Sequence, residues 1–239
     1  MSKVHAITQS PEDIVSALGV EAKKAAATLV QTPTETINNM LTGLADALRQ
    51  NAEAILSENQ KDLDSARERG LTDAMIDRLA LDEQRIEGMA QSVETVRQLD
   101  DPTGKTLWEE NRPNGLKIQR ISCPIGVFGM IYESRPNVTI DASILCLKSH
   151  SAVILRGGSE SLHSSLALHK IIQNTLESFN LIPHPPGRTD HGEILWTADL
   201  RANGLDLLDI TGITYNPLTK HYKLSRDIDV NYILHCTQQ

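Results

Sequence analysis

The 239-residue chain contains few aromatic residues and few cysteines. Phe, Trp and Tyr make up 3% of the sequence, too few for a surface on which the bases of single-stranded nucleic acid stack. Cys123, Cys146 and Cys236 are an odd number without paired spacing, which argues against a disulfide framework or a metal site. The net charge of -8 gives no basic excess for a polyanion. We therefore expect no nucleic-acid or membrane partner and no metal.

Long hydrophobic runs are absent as well. No segment approaches the length of a membrane span, and the N-terminus, MSKVHAITQSPEDIV, has no continuous apolar region. Hydrophobic residues make up 40% and charged residues 23%, proportions that are typical of globular proteins. The chain is long enough to bury a sizeable core in one or two domains. These features predict a cytoplasmic globular protein and leave a homo-oligomer open.

Residues 10–99 have the periodicity of helices. Thr32 is a candidate N-cap, because Pro33 suits the first helical position and Glu35 completes a capping box. Two apolar stripes follow at helical spacing: Ile37, Leu41, Leu44 and Leu48, then Ile86, Met89, Ala90, Val93 and Val96. The charged residues between the stripes predict a solvent-exposed face: Lys61, Asp62, Asp64, Arg67, Glu68 and Arg69.

The pattern changes after residue 100. Breakers at residues 102–104 and 113–115 predict a connection, which is followed by a strand that contains Leu116 and Ile118. Residues 127–132 predict a strand that is buried on both faces, and residues 138–148 a helix. A short strand over residues 152–156 and an amphipathic helix from Leu162 complete the series. Strand, helix, strand and helix with short joins predict a βαβ unit, and the fold class is α/β.

A glycine-containing turn follows the second strand of this unit. Its five residues are Arg156, Gly157, Gly158, Ser159 and Glu160. Open α/β sheets bind ligands at this edge, glycines allow close backbone approach, and N–H groups at a helix start favour an anion. The Arg156 guanidinium suits a phosphate. A plain turn with Ser159 as N-cap explains the same residues, so both interpretations stay open.

Asn137 and Cys146 follow the first strand of the unit. The Asn137 amide could donate to a developing oxyanion, or the residue could cap a helix that begins at Val138. Cys146 lies in an apolar helical stretch, which favours a buried structural thiol over a nucleophile.

The two segments PIGVFGMIYESRPNVTIDASILCLKS and AVILRGGSE closely resemble the gamma-glutamyl phosphate reductases, also called glutamate-5-semialdehyde dehydrogenases. The segment LALDEQRIEGMAQSVETVRQLDDPTGK is similar to the same family, and the resemblance covers about residues 10–180. It implies a partial Rossmann-like parallel sheet of the aldehyde dehydrogenase superfamily, preceded by helices. It also implies reduction of gamma-glutamyl phosphate to glutamate 5-semialdehyde with NADPH, in proline biosynthesis.

The resemblance assigns roles to individual residues. It implies that Asn137 donates to the oxyanion and that Arg156 faces the adenosine ribose and its phosphate, with Gly157 to Glu160 forming the adjoining turn. The family usually has Gly-Asn where this chain has His150 and Ser151. A turn that requires a positive φ tolerates histidine poorly, so we expect local strain of about 1 kcal/mol there.

The family also uses a cysteine nucleophile in a glycine-rich loop that is followed by histidine. The mechanism implied by the resemblance passes through a thioester on that cysteine. Cys236 stands in the segment LHCT, without flanking glycines and after its histidine rather than before it. We therefore expect this nucleophile to be missing. The alternative to an active reductase is a truncated or fused remnant that binds a nucleotide weakly or contacts another protein.

The tail from about residue 190 has a different pattern. The segments GLDLLDITGITYNPLT and LSRDIDVNY resemble the C-terminus of ubiquinone-biosynthesis O-methyltransferases, which implies antiparallel strands without a cofactor loop. Three prolines and a glycine in residues 183–187 mark the junction, and a metal site would need more ligands than His184 and His191. We predict a helical region 1–115, a partial nucleotide-binding unit 116–182, a junction 183–192 and a β-rich tail 193–239.

Overall fold

Apolar stripes at helical spacing determine the first part of the fold. The computed structural model describes residues 11–181, with side chains from residue 15, and the backbone of three later strands. The first described helices are α1 (Pro11–Gln31), α2 (Thr34–Gln50), α3 (Ala52–Glu68), α4 (Asp73–Leu79) and α5 (Glu83–Gln98). The two predicted stripes lie on α2 and α5, and nearly all of their residues are buried. Both helix predictions are confirmed.

The predicted N-cap of α2 is wrong. The cap position is held by Pro33, and no side chain caps this helix. Because α1 continues to Gln31, the Thr32 hydroxyl donates instead to the carbonyl of Thr28 in the last turn of α1. By contrast, α5 has a side-chain cap, since the Asp82 carboxylate accepts a hydrogen bond from the Arg85 amide at 2.7 Å.

Strands and helices then alternate. A hairpin of β1 (Thr106–Asn111) and β2 (Lys117–Ile121) is followed by β3 (Val127–Ile131), α6 (Asn137–Lys148), β4 (Ala152–Arg156) and α7 (Leu162–Ser178). We expected a connection where β1 lies. Almost all residues of β1 are exposed. Its sequence, TLWEEN, has no apolar alternation that would predict a strand, and β1 is identified by its pairing with β2.

The sheet behind α6 and α7 is parallel, as predicted. β3 pairs with β4 from Val127 opposite Ala152 to Ile131 opposite Arg156. Three tail residues form β5 (Thr197–Asp199), which pairs in parallel with the other side of β4. The tail also contributes an antiparallel pair, β6 (Gly212–Asn216) and β7 (His221–Ser225). The predicted α/β class with a β-rich tail is confirmed.

One hydrophobic core joins the N-terminal helices to the βα units. It contains residues of α1, α2 and α5 together with residues of α6, β4 and α7, among them Leu29, Leu41, Leu44, Ile140, Ile144, Leu168 and Ile172. Burying one such side chain contributes about 1.5–3 kcal/mol. The division of the chain at residue 115 stays a prediction.

Two helices of the βα units end in the same backbone motif. After α6, the amide of Ser151 donates to the carbonyl of Cys146, and His150 has φ 54°. After α7, the amide of Leu181 donates to the carbonyl of Leu176, and Asn180 also has φ 54°. This is the Schellman arrangement, in which glycine is preferred at the left-handed position. The expected positive φ at His150 is therefore confirmed.

The side chain of His150 connects three segments. It is buried, with Nδ1 lying 2.9 Å from the Leu29 carbonyl at the end of α1. Its Nε2 lies 3.1 Å from Oδ2 of Asp101, which follows α5. These two contacts offset the conformational cost of histidine at this position.

Asp62 corrects the prediction of a solvent-exposed face on α3. Its side chain is only 2% exposed. Its carboxylate accepts hydrogen bonds from the amides of His163 and Ser164, at 3.0 and 2.8 Å, and from the Ser164 hydroxyl. A carboxylate from α3 therefore caps the start of α7, and it holds this helix against the helical layer.

Candidate functional site at the carboxyl edge of β3 and β4

The parallel register brings two turns together at one edge of the sheet. Since Ile131 is paired with Arg156 and the Tyr132 amide donates to the Arg156 carbonyl, the two strands end side by side. The turn after β3 leads to Asn137, and the turn after β4 contains Gly157 and Gly158. The structure thus brings the two predicted site segments to the same edge, where open α/β sheets bind ligands.

The two glycines allow this close approach. A Cβ at Gly158 would lie 3.2 Å from the Ser134 amide nitrogen and 3.3 Å from the Glu133 carbonyl carbon. A Cβ at Gly157 would lie 3.2 Å from the Tyr132 hydroxyl, which shares a hydrogen bond with Thr139. A side chain at position 158 would therefore have to move the Glu133–Ser134 peptide and the Glu160 carboxylate, whereas one at position 157 would press on the Tyr132 and Ser165 side chains.

The start of α7 is closed to an anion. The capping carboxylate of Asp62 already occupies the amides of His163 and Ser164. The expectation of free N–H groups at this helix start is therefore wrong for these two residues. A phosphate at this edge would have to rely on Arg156 and on the turn before the helix.

Ser159 is not the N-cap of α7. It begins a short 3₁₀ turn, Ser159–Ser161, and its hydroxyl donates to Oε1 of Glu160 at 2.8 Å. The cap position of α7 is Ser161, which makes no side-chain cap hydrogen bond. The Asp62 carboxylate of α3 caps α7 instead. Ser159 and Glu160 belong to the turn that directly follows Arg156 at the edge of the sheet.

Asn137 is the first residue of α6. Pro136 occupies the cap position, and no side chain caps this helix, so the interpretation of Asn137 as an N-cap is wrong. Its Nδ2 donates to Oδ2 of Asp141, one turn later, at 3.0 Å. An amide carries two N–H groups. The second can serve an acceptor at the edge of the sheet.

Asp141 is a half-buried carboxyl that the sequence analysis missed. Burial raises its pKa above the ordinary value, and the hydrogen bond from Asn137 offsets part of this effect. Its position four residues after Asn137, on the same helix face, was the signal that could have identified it.

A cleft opens at the start of α6. It has a volume of about 480 Å³ and lies between α4, α5 and the first turn of α6. Its charged and polar lining residues include Arg78, Arg85, Ser92, Arg135, Asn137 and Asp141. A volume of this size suits a small organic molecule. Sequence reasoning did not connect α4 and α5 with this site, although α4 ends at the first residue of the resemblance segment that begins LALDEQ and α5 lies inside that segment.

The cysteines in the described region do not supply a nucleophile at this edge. Cys146 is buried, and burial raises its pKa to about 12, so the thiol stays protonated at neutral pH. The expectation of a structural thiol is thereby confirmed. Cys123 is exposed. Cys236, His184 and His191 lie outside the described residues.

Within 11–181 and the three later strands, no three or more His, Cys, Asp or Glu side chains converge as a metal site would require. In the same part of the chain, no helix has both the length and the apolar character to cross a membrane.

Comparison with known proteins agrees with the resemblance. The chain is 48% identical to gamma-glutamyl phosphate reductase from Desulfotalea psychrophila over 172 residues, which are 72% of this chain and 41% of that protein. The solved gamma-glutamyl phosphate reductase of Thermotoga maritima matches with a TM-score of 0.67 and 38% identity, covering 69% of this chain and 40% of that one. No protein-family model matches the chain.

A more distant structure shows the fold. An acetylating aldehyde dehydrogenase from Geobacillus thermoglucosidasius matches with a TM-score of 0.52 at 16% identity, covering 75% of this chain and 37% of that one. The resemblance of the tail to an O-methyltransferase finds no support in these comparisons, and most of that tail lies outside the described residues. The chain spans about two fifths of the reductases that it matches. Over its matched part, the chain has the aldehyde dehydrogenase fold and is similar in sequence to gamma-glutamyl phosphate reductases.

Proposed function

We propose that this chain acts in the NADPH-dependent reduction of gamma-glutamyl phosphate to glutamate 5-semialdehyde, a step of proline biosynthesis in the cytoplasm. The observation that carries the proposal is the shared edge of β3 and β4, where the turn with Arg156 and the turn before Asn137 meet. Relatives named gamma-glutamyl phosphate reductase at 48% identity support the choice of substrate.

The residues at the edge fit the adenosine end of a dinucleotide. Arg156 offers a planar guanidinium to the phosphate on the adenosine ribose, which would favour NADPH over NADH. Gly157 and Gly158 provide a stretch of backbone without side chains against which the ribose can lie, with Ser159 and Glu160 beside it. When bound, the nucleotide supplies the hydride for the reduction.

Asn137 would act on the substrate. Its amide stands at the start of α6, and one N–H is held by Asp141. The remaining N–H would donate to the oxygen of the reacting carbonyl, which gains negative charge as the substrate is attacked.

The chain itself offers no cysteine in the sequence context that this family uses, and we propose that turnover requires a cysteine-bearing catalytic unit. The alternative is a remnant that binds nucleotide weakly without turnover. We further propose the four regions given above as the domain organisation, and assembly as a homo-oligomer.

Fluorescence titration with NADPH and NADH tests the nucleotide site. We expect Arg156→Gln to weaken NADPH binding by about tenfold, since a charged hydrogen bond to phosphate is lost, and to affect NADH much less. Arg120→Gln, an exposed arginine on β2, is the matched control and should change neither. Equal affinity of wild type and Arg156→Gln for NADPH would contradict the proposal.

A coupled assay separates the two alternatives. Oxidation of NADPH in the presence of gamma-glutamyl phosphate would show that the chain is an active reductase. Nucleotide binding without oxidation by the chain alone is expected from both alternatives. Oxidation that begins only when a cysteine-bearing catalytic unit is added would support the proposal, and none in its presence would favour the remnant.

A further inference from the structure

The cleft at the start of α6 contains two arginines whose charge is not satisfied within the described region. In residues 15–181, neither the Arg78 nor the Arg135 guanidinium makes a hydrogen bond or an ion pair, and both side chains are exposed. Two guanidinium groups in one cleft attract an anion, and their planar form suits a carboxylate.

Arg85 differs from these two arginines. Its guanidinium donates to the carbonyls of Asp77 and Ala80 and forms an ion pair with the Asp77 carboxylate at 2.9 Å. Arg85 therefore holds the end of α4 against α5, and its charge is balanced by Asp77. The charges left for a ligand are those of Arg78, Arg135 and Asp141.

The Asp141 carboxylate has no cationic partner among the described residues. It is half-buried, and its only hydrogen bond in the described region comes from the neutral amide of Asn137. Burial raises its pKa, as expected for a carboxylate without a close cationic partner. An ammonium group in the cleft would stabilise the ionised form.

We propose that this cleft binds the amino-acid end of the substrate, with Arg78 and Arg135 on its α-carboxylate and Asp141 on its α-ammonium. This inference rests on the proposed function, since it names the residues that would select a glutamyl substrate. The arrangement is consistent in length: a glutamyl chain spans only about 5 Å from its α-carbon to its γ-carbonyl. An ammonium at Asp141 therefore leaves the acyl group close to Asn137, which donates to the same carboxylate.

Calorimetric titration with three stable probes tests the assignment. L-Glutamate 5-methyl ester carries both charges of the amino-acid end, monomethyl glutarate carries the carboxylate alone, and methyl 4-aminobutanoate carries the ammonium alone. We expect the first probe to bind wild type about tenfold more tightly than either of the others, because only it engages both sets of partners.

Variants assign each charge to its partner. Arg78→Gln and Arg135→Gln should each weaken the two carboxylate-bearing probes by about tenfold and leave methyl 4-aminobutanoate nearly unchanged. Asp141→Asn should weaken the two ammonium-bearing probes and leave monomethyl glutarate nearly unchanged. Arg67→Gln, an exposed arginine of α3 outside the cleft, is the matched control and should change none.

The outcomes separate this inference from the proposed function. Wild type that binds NADPH but not L-glutamate 5-methyl ester overturns the assignment of the cleft and leaves the nucleotide site standing. Binding of the ester without NADPH supports the cleft and overturns the nucleotide site. Competition by inorganic phosphate, together with full binding by Asp141→Asn, would show a phosphate site and would overturn the assignment.

Discussion

The two helices of the βα units, α6 and α7, are fastened to the N-terminal helices at opposite ends. α7 is held at its start, where the Asp62 carboxylate from α3 caps it. α6 is held at its end, where the His150 side chain reaches the Leu29 carbonyl and Asp101. The start of α6 is consequently the one of the two helix starts that is accessible to a ligand, and Asn137 stands there. A buried polar side chain thus closes one of two similar helix starts and leaves the other open.

Removing the carboxylate at the start of α7 should have the largest effect. Asp62→Ala deletes three hydrogen bonds to a buried charged group and leaves two helix amides without their acceptor, so we expect a loss of about 3 kcal/mol in unfolding free energy. Urea denaturation measures it. Asp64→Ala on the same helix is exposed and should cost less than about 0.5 kcal/mol. Similar losses for the two variants would show that the cap contributes little.

Glycine substitutions at the two left-handed positions should have different effects on the unfolding free energy after α6 and after α7. His150→Gly relieves the backbone cost but removes both buried contacts, so we expect a net loss of about 2 kcal/mol. Asn180→Gly should change stability by less than about 0.5 kcal/mol, because the Asn180 side chain is exposed and makes no hydrogen bond in the described region. Equal effects in thermal or urea unfolding would mean that the His150 contacts do not stabilise the fold.

Acidic pH should weaken the contact between Asp101 and His150 that holds the C-terminal end of α6. Burial favours a higher pKa for Asp101, but hydrogen bonds from Thr34, Thr103 and His150 outweigh it and hold the pKa well below its ordinary value. A lowered carboxyl pKa adds stability above the unfolded-state pKa of about 3.9, and this contribution disappears as the pH falls towards the folded-state pKa. The stability difference between wild type and Asp101→Asn should therefore be largest near neutral pH and shrink below about pH 4. A stability difference between wild type and Asp101→Asn that grows as the pH falls would contradict a lowered pKa for Asp101.

The sequence predicted features that depend on local pattern. The stripes of α2 and α5 and the strands β3 and β4 follow from periodicity over a few residues, whereas the left-handed position of His150 was indicated by the resemblance, since the resembled family has glycine there. Resemblance added the roles of Asn137 and Arg156, which stay proposals.

Features that depend on distant partners could not be predicted in this way. Asp62 looks like a surface residue of α3, and only the start of α7, 101 residues later, explains its burial. His150 finds its partner Leu29 across 121 residues. The strand β1 has no apolar alternation, and the capping-box pattern at Thr32 does not reveal that α1 extends to Gln31.

The bare backbone at Gly158 has a mechanical consequence. A single methyl group there would press on the Glu133–Ser134 peptide, which leads within three residues to Asn137. The turn after β4 and the turn after β3 therefore pack backbone to backbone at this point, so that a side chain at position 158 would have to push aside the turn that leads to Asn137.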